Sequence, residues 1–281
     1  MPLRSDLFKI YRALERVIAP GLRYAQYLYA EVLDSHVNAD VDWLDVGCGH
    51  HILPLWRAQE EKSMVTRCHK VVGIDASLAS LKKHRSIPIR IQGMISRLPF
   101  RDESFDLVTA NMVVEHLDAP KAQFQEIARI LKPDGVFILH TPNRLGYPTI
   151  IARVIPERVK KKLIRLLQAR PEGDVFRTFY RANTDREIRR AAEATGFDVR
   201  QLRMIVTSAQ LAVIPPFVIF ELMWIRVLMT RRFKSLRTNI IGVLQKKQQS
   251  EAPGAGAVGA LHGYAESKTR DGEPLEPRWN G

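Results

Sequence analysis

A glycine-containing stretch early in the chain constrains the fold more than any other segment. Residues 42–56 read Asp-Trp-Leu-Asp-Val-Gly-Cys-Gly-His-His-Ile-Leu-Pro-Leu-Trp. A short apolar run ends at Gly47 and Gly49, which is typical of a buried parallel strand stopped by a turn. The two glycines permit a tight turn and let a ligand approach the bare backbone. We expect a helix to follow this turn, so that its free N–H groups would face the ligand.

Three interpretations of this turn are open from the residues alone. A dinucleotide-binding fingerprint requires a third glycine, but Ile52 occupies that position. An ordinary strand-to-helix turn is also consistent, because Gly-x-Gly is a short and common pattern. The third interpretation uses Asp45, since a carboxylate beside the turn suits a ligand with a cationic end, such as S-adenosylmethionine.

Further motifs follow in a characteristic order across residues 40–145. They are Leu44-Asp45-Val46-Gly47-Cys48-Gly49, Val71-Val72-Gly73-Ile74-Asp75, the segment from Leu98 to Val108, Glu115-His116-Leu117 and Leu131-Lys132-Pro133-Asp134-Gly135. In this order and spacing the chain resembles class I S-adenosylmethionine-dependent methyltransferases, especially the quinone and small-molecule subgroup. The resemblance implies an α/β fold, with a doubly wound, Rossmann-like sheet of seven mostly parallel strands, and S-adenosylmethionine as cofactor.

The hydrophobic pattern divides the chain into three parts. Residues 1–40 are predicted to form N-terminal helices, 41–247 the methyltransferase domain, and 248–281 a disordered tail. Helical insertions at 144–182 and 207–236 are expected after strands five and six. The predicted strands are short apolar runs separated by helices, at 41–46, 70–75, 87–91, 105–110, 135–140, 197–205 and from Asn239 onwards.

The resemblance also indicates which residues would hold the cofactor. Asp75, at the end of strand two, would accept two hydrogen bonds from the ribose diol, although a solvated loop aspartate is the alternative. Met94 stands where many relatives carry an acid, so it would pack on the purine face while Ile95 supplies backbone contacts. The full predicted set is Asp45, Gly47, Cys48, Gly49, Asp75, Ala76, Met94, Ile95 and Asn111.

His116 is the candidate catalytic base. It follows the predicted fourth strand, where the mouth of the site in an open α/β sheet lies. Histidine accepts a proton near neutral pH, and methyl transfer to a hydroxyl requires removal of that proton. The alternative is that Glu115 and His116 only shape the loop before the next helix. No metal site is predicted, because His50 and His51 have no second cluster of ligands.

The charge of the chain predicts an anionic partner. Its net charge is +13, which suits a membrane surface, nucleic acid or an acidic substrate. Cys48 and Cys68 match no metal or disulfide pattern, which favours a reduced, cytoplasmic setting. The N-terminal residues lack the apolar core of a signal peptide. The sequence does not indicate an oligomeric state.

Both predicted insertions combine apolar residues with clustered arginine and lysine, which favours docking on the inner face of an anionic membrane. The most apolar stretch, 211–220, is too short to span a bilayer and is expected to be interrupted by Pro215-Pro216. A buried lid helix at 211–229 is the alternative. The side chains expected to enter the headgroup region are Phe217, Ile219, Phe220, Leu222, Met223 and Trp224.

These observations predict methyl transfer from S-adenosylmethionine to a small or amphipathic acceptor, such as a lipid, quinone or saccharide, at oxygen. Catalysis would come mainly from alignment of donor and acceptor, because the sulfonium is already activated. A nucleic-acid methyltransferase is disfavoured, since Asn111-Met112-Val113-Val114 is not a base-flipping motif. A cofactor-binding scaffold without catalysis is the second alternative.

Overall fold

A computed structural model describes residues 2–155, 176–209 and 215–248 of the chain. The predicted disordered tail at 248–281 therefore lies outside the described residues, apart from Gln248. The same holds for residues 156–175 of the first predicted insertion and residues 210–214 of the second.

Helices and strands alternate through most of the described chain. The α-helices are α1 (Pro2–Ile18), α2 (Ala25–Asp34), α3 (Ala58–Arg67), α4 (Leu78–Lys82), α5 (Pro120–Ile130), α6 (Tyr147–Val154), α7 (Asp185–Glu193) and α8 (Pro215–Leu228). The strands are β1 (Asp42–Val46), β2 (Lys70–Asp75), β3 (Ile89–Gln92), β4 (Phe105–Asn111), β5 (Leu131–Pro142), β6 (Phe197–Ile205) and β7 (Asn239–Lys246). Short 3₁₀ turns lie at Leu55–Arg57, Val114–His116 and Lys234–Leu236.

The strands form one seven-stranded sheet in the order β3-β2-β1-β4-β5-β7-β6. The pairs among β1 to β5 are parallel, whereas β7 is antiparallel to both β5 and β6. The doubly wound, mostly parallel sheet predicted from the resemblance is confirmed. β7 inserts between β5 and β6.

Successive residues of the central strands point to opposite faces of the sheet, and both faces are buried. Leu44 packs in one apolar cluster with residues of α5 and α7, while its neighbour Trp43 packs in the other cluster with residues of α2 and α3. Helices therefore cover both faces, which explains why the strands are almost continuously apolar.

The carboxyl ends of β1, β2, β4, β5 and β6 lie at one edge of the sheet. This follows from the pairing, because β6 is antiparallel to β7 and β7 is antiparallel to β5. Both insertions follow strands that end at this edge, so they begin on the side where open α/β sheets bind ligands.

Prolines lie near the start of α3 and of α8. The helix expected after the glycine turn is α3, which begins only at Ala58. Pro54 explains the delay, because a residue before proline is disfavoured in the helical region. Pro215 and Pro216 begin α8, and residues 211–214 of the apolar stretch lie outside the described residues. Proline is tolerated there because N–H groups of the first turn need no partner within the helix.

Candidate active site

The turn after β1 is tied to its neighbouring strand. Gly47 and Gly49 adopt positive φ angles of 66° and 54°. The backbone N–H of Gly47 donates to the Ile74 carbonyl at 2.7 Å. A Cβ atom at Gly47 would collide with the Val113 side chain, so both conformation and space require glycine there. The turn therefore exposes backbone, rather than side chains, at the carboxyl edge of the sheet.

Asp75 joins this turn to the end of β2. Its Oδ2 accepts a hydrogen bond from the Gly49 N–H at 2.9 Å, and its Oδ1 accepts one from the Ser77 N–H at 2.7 Å. Its carbonyl accepts from the Gly93 N–H, which brings the Met94 loop beside it. Each carboxylate oxygen has a further lone pair, so Asp75 can still accept hydroxyl donors.

Asp45 is buried beneath the turn with partners that the sequence did not suggest. The Thr109 hydroxyl donates to Asp45 Oδ1 at 2.6 Å, and the Trp43 Nε1–H donates to the Thr109 hydroxyl oxygen at 2.8 Å. Burial raises the pKa of Asp45 to about 7, although the Thr109 hydrogen bond opposes this shift. Within the described residues no lysine or arginine forms an ion pair with Asp45. The site thus holds a carboxylate that lacks a cation.

A second buried carboxylate holds the segment after the glycines. Glu61 on α3 accepts a hydrogen bond from the Leu53 N–H at 2.8 Å and pairs with Arg85, which also donates to the Leu53 carbonyl. Arg85 and Ser86, which donates to Glu61 as well, precede β3. No sequence signal marks this arrangement, because its members come from separate elements.

Asn111, at the end of β4, is engaged by protein groups on both sides of its amide. Its Nδ2 donates to the Ile52 carbonyl at 3.2 Å, and its Oδ1 accepts from His140 Nδ1 at 2.8 Å. His140 Nε2 then accepts from Asn239, which assigns the neutral tautomer from the network. Burial lowers the pKa of His140 to about 4, in agreement with that assignment. Asn111 therefore braces the β1 loop against β5.

The remaining predicted cofactor residues differ in exposure. Cys48 is buried, and a Cβ atom at Gly73 would meet its Sγ at 2.7 Å, so the thiol faces the sheet. Burial also raises the pKa of the Cys48 thiol. Ala76 and Ile95 are half-buried, whereas Met94 is 59% exposed.

His116 lies under the segment that returns from the first insertion. Its Nδ1 is 2.9 Å from the Arg177 carbonyl oxygen, so Nδ1 carries the proton and Nε2 is left as the basic nitrogen. The Phe176 ring lies edge-on to the imidazole at 6.0 Å between centroids. Backbone N–H groups of Phe179 and Tyr180 donate to the Glu115 carbonyl. The insertion thereby orients the imidazole.

Glu115 is buried beside His116. Its Oε2 accepts from the Thr141 hydroxyl at 3.0 Å, and its Oε1 lies 4.0 Å from His116 Nε2. Burial raises the pKa of Glu115. Asn183 donates to the same Thr141 hydroxyl and so fixes it from the far side of the insertion.

Across the described residues, no cluster of three potential metal ligands occurs.

Comparison with known proteins agrees with this geometry. Residues 44–139 match the family described as "Methyltransferase domain". A Mycolicibacterium smegmatis protein named "Probable S-adenosylmethionine-dependent methyltransferase" is 33% identical over 142 residues, which cover 47% of this chain and 52% of that protein. The ubiquinone biosynthesis O-methyltransferase of Xanthomonas oryzae pv. oryzae is 32% identical over 130 residues, covering 43% of this chain and 52% of that protein.

The crystal structure of the Bacillus subtilis YcgJ protein superimposes with a TM-score of 0.48 at 16% identity, covering 79% of this chain and 99% of that chain. The matched segments span about half the length of the curated relatives (52% for both of those named). The matched part of the chain contains the glycine turn, Asp75, Asn111 and His116. Residues 44–139 thus carry a methyltransferase domain, and the chain is similar to a protein named for S-adenosylmethionine dependence.

Proposed function

We propose that the protein transfers a methyl group from S-adenosylmethionine to an oxygen of a small, amphipathic acceptor. The observation that carries this proposal is the junction of the Gly47–Gly49 turn with Asp75, directly above the buried Asp45. The bare backbone of the turn, the Asp75 carboxylate that can accept hydrogen bonds from hydroxyls, and the Asp45 carboxylate, which has no cationic partner among the described residues, thus lie at one edge of the sheet. This arrangement suits a ligand with a ribose and a cationic end.

The residues present fit this cofactor. Asp75 retains acceptor capacity for a ribose diol, and Asp45 lacks a cation that an amino or sulfonium group would supply. Gly47, Cys48 and Gly49 would contribute backbone, while Ala76, Met94 and Ile95 would flank the adenine. Asn111 would act by holding the floor of the site. The cofactor supplies an activated methyl group, and the protein supplies alignment.

Exposed side chains at the ligand-binding edge support an apolar acceptor. Large apolar side chains are exposed after three of the strands that end there: Leu55 and Trp56 after β1, Met112 after β4 and Leu145 after β5. Such side chains favour a ligand with a large apolar surface. One relative is named for ubiquinone biosynthesis, which supports a quinone-like or lipid-like acceptor here.

His116 would remove the acceptor proton. Its Nδ1 is held by the Arg177 carbonyl, so Nε2 is the atom that would take the proton as the acceptor oxygen bonds to the methyl carbon. Glu115, whose Oε1 is 4.0 Å from Nε2, would then stabilise the resulting imidazolium. We propose further that this reaction occurs in the cytoplasm at an anionic membrane surface.

The raised pKa of Asp45 predicts a pH-dependent affinity for the cofactor. Only the ionised carboxylate attracts a cationic ligand, so affinity should rise as pH increases from about 5.5 to about 7.5. Calorimetry of cofactor binding across this range checks the expectation. The variant Asp45→Asn keeps an acceptor for Thr109 but not the charge, and it should bind more weakly with little dependence on pH.

The raised pKa of Asp45 also predicts how folding stability depends on pH, in the direction opposite to that of cofactor affinity. The folded pKa of about 7 is above the ordinary value of 3.8, so the folded chain holds a proton that the unfolded chain has released between these values. The contribution of Asp45 to folding stability is therefore fully present below pH 3.8 and is lost as pH rises to about 7. Above pH 7, the ligand-free Asp45→Asn variant should melt at a higher temperature than the wild type. A lower melting temperature would contradict this account.

Transfer of radiolabelled methyl groups into fractions of a cell extract tests the proposed function. Label in the lipid fraction or among small molecules, lost in the His116→Ala variant, is the expected result. Label in nucleic acid would instead support a nucleic-acid methyltransferase. Cofactor binding without any labelled product would favour a non-catalytic scaffold.

A further inference from the structure

Helix α8 has one buried face and one exposed apolar face. Val218, Leu222, Ile225 and Leu228 are buried against α1 and the end of β6. Leu222 is 0% exposed, so the expectation that it enters a headgroup region is wrong. The exposed apolar side chains, called here the α8 face, are Phe217, Ile219, Phe220, Met223 and Trp224. Because they fill the arc opposite the buried residues, α8 is not a fully buried lid.

Helix α6 of the first insertion lies directly beside α8. The Tyr147 hydroxyl donates to Glu221 Oε1 at 2.6 Å, which joins the start of α6 to the middle of α8. α6 also exposes apolar side chains, at Ile150, Ile151 and Val154. The two insertions that the sequence separates are thus neighbours, and each presents apolar surface.

Exposed cations lie on both helices and on the turn that follows α8. Arg226 lies at the border of the α8 face, Arg231, Arg232 and Lys234 follow the helix, and Arg153 lies on α6. Among the described residues, none of these five forms an ion pair. The Trp224 ring lies 6.3 Å from the Phe233 ring, which holds the basic turn against the helix.

Arg237 does not belong to this group of exposed cations. It donates to the carbonyls of Leu228, Met229 and Met204 at 2.8–3.0 Å, so it satisfies the carboxyl end of α8. The role of Arg237 is therefore to fix the helix against β6. It is not counted among the exposed cations that could meet an external partner.

We infer that the α8 face, with its border of arginine and lysine, docks on an anionic lipid bilayer. Apolar rings between unpaired cations match a surface whose headgroups are negative and whose interior is hydrocarbon. A second copy of the chain would bring like charges together, and nucleic acid offers no apolar layer.

None of the helices in the described part of the chain is long and apolar enough to cross a membrane, so docking would be peripheral. The purpose of docking rests on the proposed function, since an amphipathic acceptor resides in the bilayer.

Co-sedimentation of the full chain with lipid vesicles tests the inference without any methyl transfer. The protein should sediment with vesicles containing phosphatidylglycerol at low salt and remain in the supernatant with pure phosphatidylcholine. Raising the salt to about 0.5 M should release it, because screening weakens attraction to the surface. If the protein transfers no methyl group, it should still bind these vesicles. If it does not bind vesicles, methyl transfer to an acceptor in solution could still be detected.

Two sets of variants separate the apolar and charged contributions. Phe217→Ser, Phe220→Ser and Trp224→Ser together should abolish sedimentation, and the single variant Phe220→Ser, at a side chain 72% exposed, should weaken it without disturbing the core. Combining Arg231→Gln, Arg232→Gln and Lys234→Gln should weaken partitioning roughly 10²-fold, since each basic residue near the surface contributes roughly fivefold.

Matched controls lie elsewhere on the surface. Arg186→Gln, Arg190→Gln and Arg203→Gln remove the same charge from exposed positions on α7 and β6. Leu78→Ser and Ile89→Ser remove exposed apolar side chains near the opposite edge of the sheet. Both controls should sediment like the wild type.

Three results would overturn the inference. One is a protein that stays in the supernatant with anionic vesicles at low salt. Another is sedimentation that the control charge variant weakens as much as the Arg231, Arg232 and Lys234 variant. The third is a dimer in solution that the Phe217, Phe220 and Trp224 variant dissociates while vesicle binding is absent, which would make the α8 face an interface between copies.

Discussion

Replacing His116 with alanine is expected to reduce turnover roughly 10²–10⁴-fold, as loss of a general base does. The imidazole follows β4 at the ligand-binding edge, and its hydrogen bond to the Arg177 carbonyl fixes the tautomer in which Nε2 can accept a proton. Cofactor affinity should stay unchanged, because His116 contacts none of Gly47, Gly49 or Asp75 in the structure. Turnover with the purified acceptor and calorimetry with the cofactor measure the two quantities.

The control for His116 is a variant that disturbs its surroundings but keeps the imidazole. Phe176→Ala removes the ring beside His116 without removing the base, so it should lower turnover much less than His116→Ala. If the His116→Ala variant turns over at nearly the wild-type rate, His116 is not the base and only shapes the loop.

Replacing Asp75 with alanine is expected to weaken cofactor binding, and the two lost ribose hydrogen bonds alone should contribute about 2–3 kcal/mol, or roughly 30- to 150-fold. The total loss should exceed this value, because Asp75 also accepts the N–H groups of Gly49 and Ser77 and so shapes the turn. Calorimetry measures the affinity. Asp198→Ala, at an exposed surface aspartate paired with Lys247, is the control and should bind normally.

A cofactor analogue separates the two contributions of Asp75. A 2′-deoxyribose analogue should bind the wild type more weakly than the natural cofactor, since one hydrogen bond is lost. In the Asp75→Ala variant the analogue and the natural cofactor should bind alike, because the interaction is already absent. Equal penalties in both proteins would show that Asp75 acts only on the turn and does not contact the ribose.

Local patterns in the sequence determined much of the sheet and the location of the site. β2 and β6 occupy the predicted ranges 70–75 and 197–205. The glycines at 47 and 49 do mark a turn with positive φ angles. These features could be predicted because apolar runs, glycine positions and motif order depend on residues that are close together in the chain.

Tertiary structure alone decided which side chains act together. Asp45 and Thr109 are 64 residues apart, and Asn143 and Arg237 are 94 apart, yet each pair is joined by a hydrogen bond. The sequence likewise could not distinguish buried Leu222 from exposed Phe220. The physical reason is that burial and hydrogen-bond partners depend on which elements pack against each other, and local spacing carries no record of that packing.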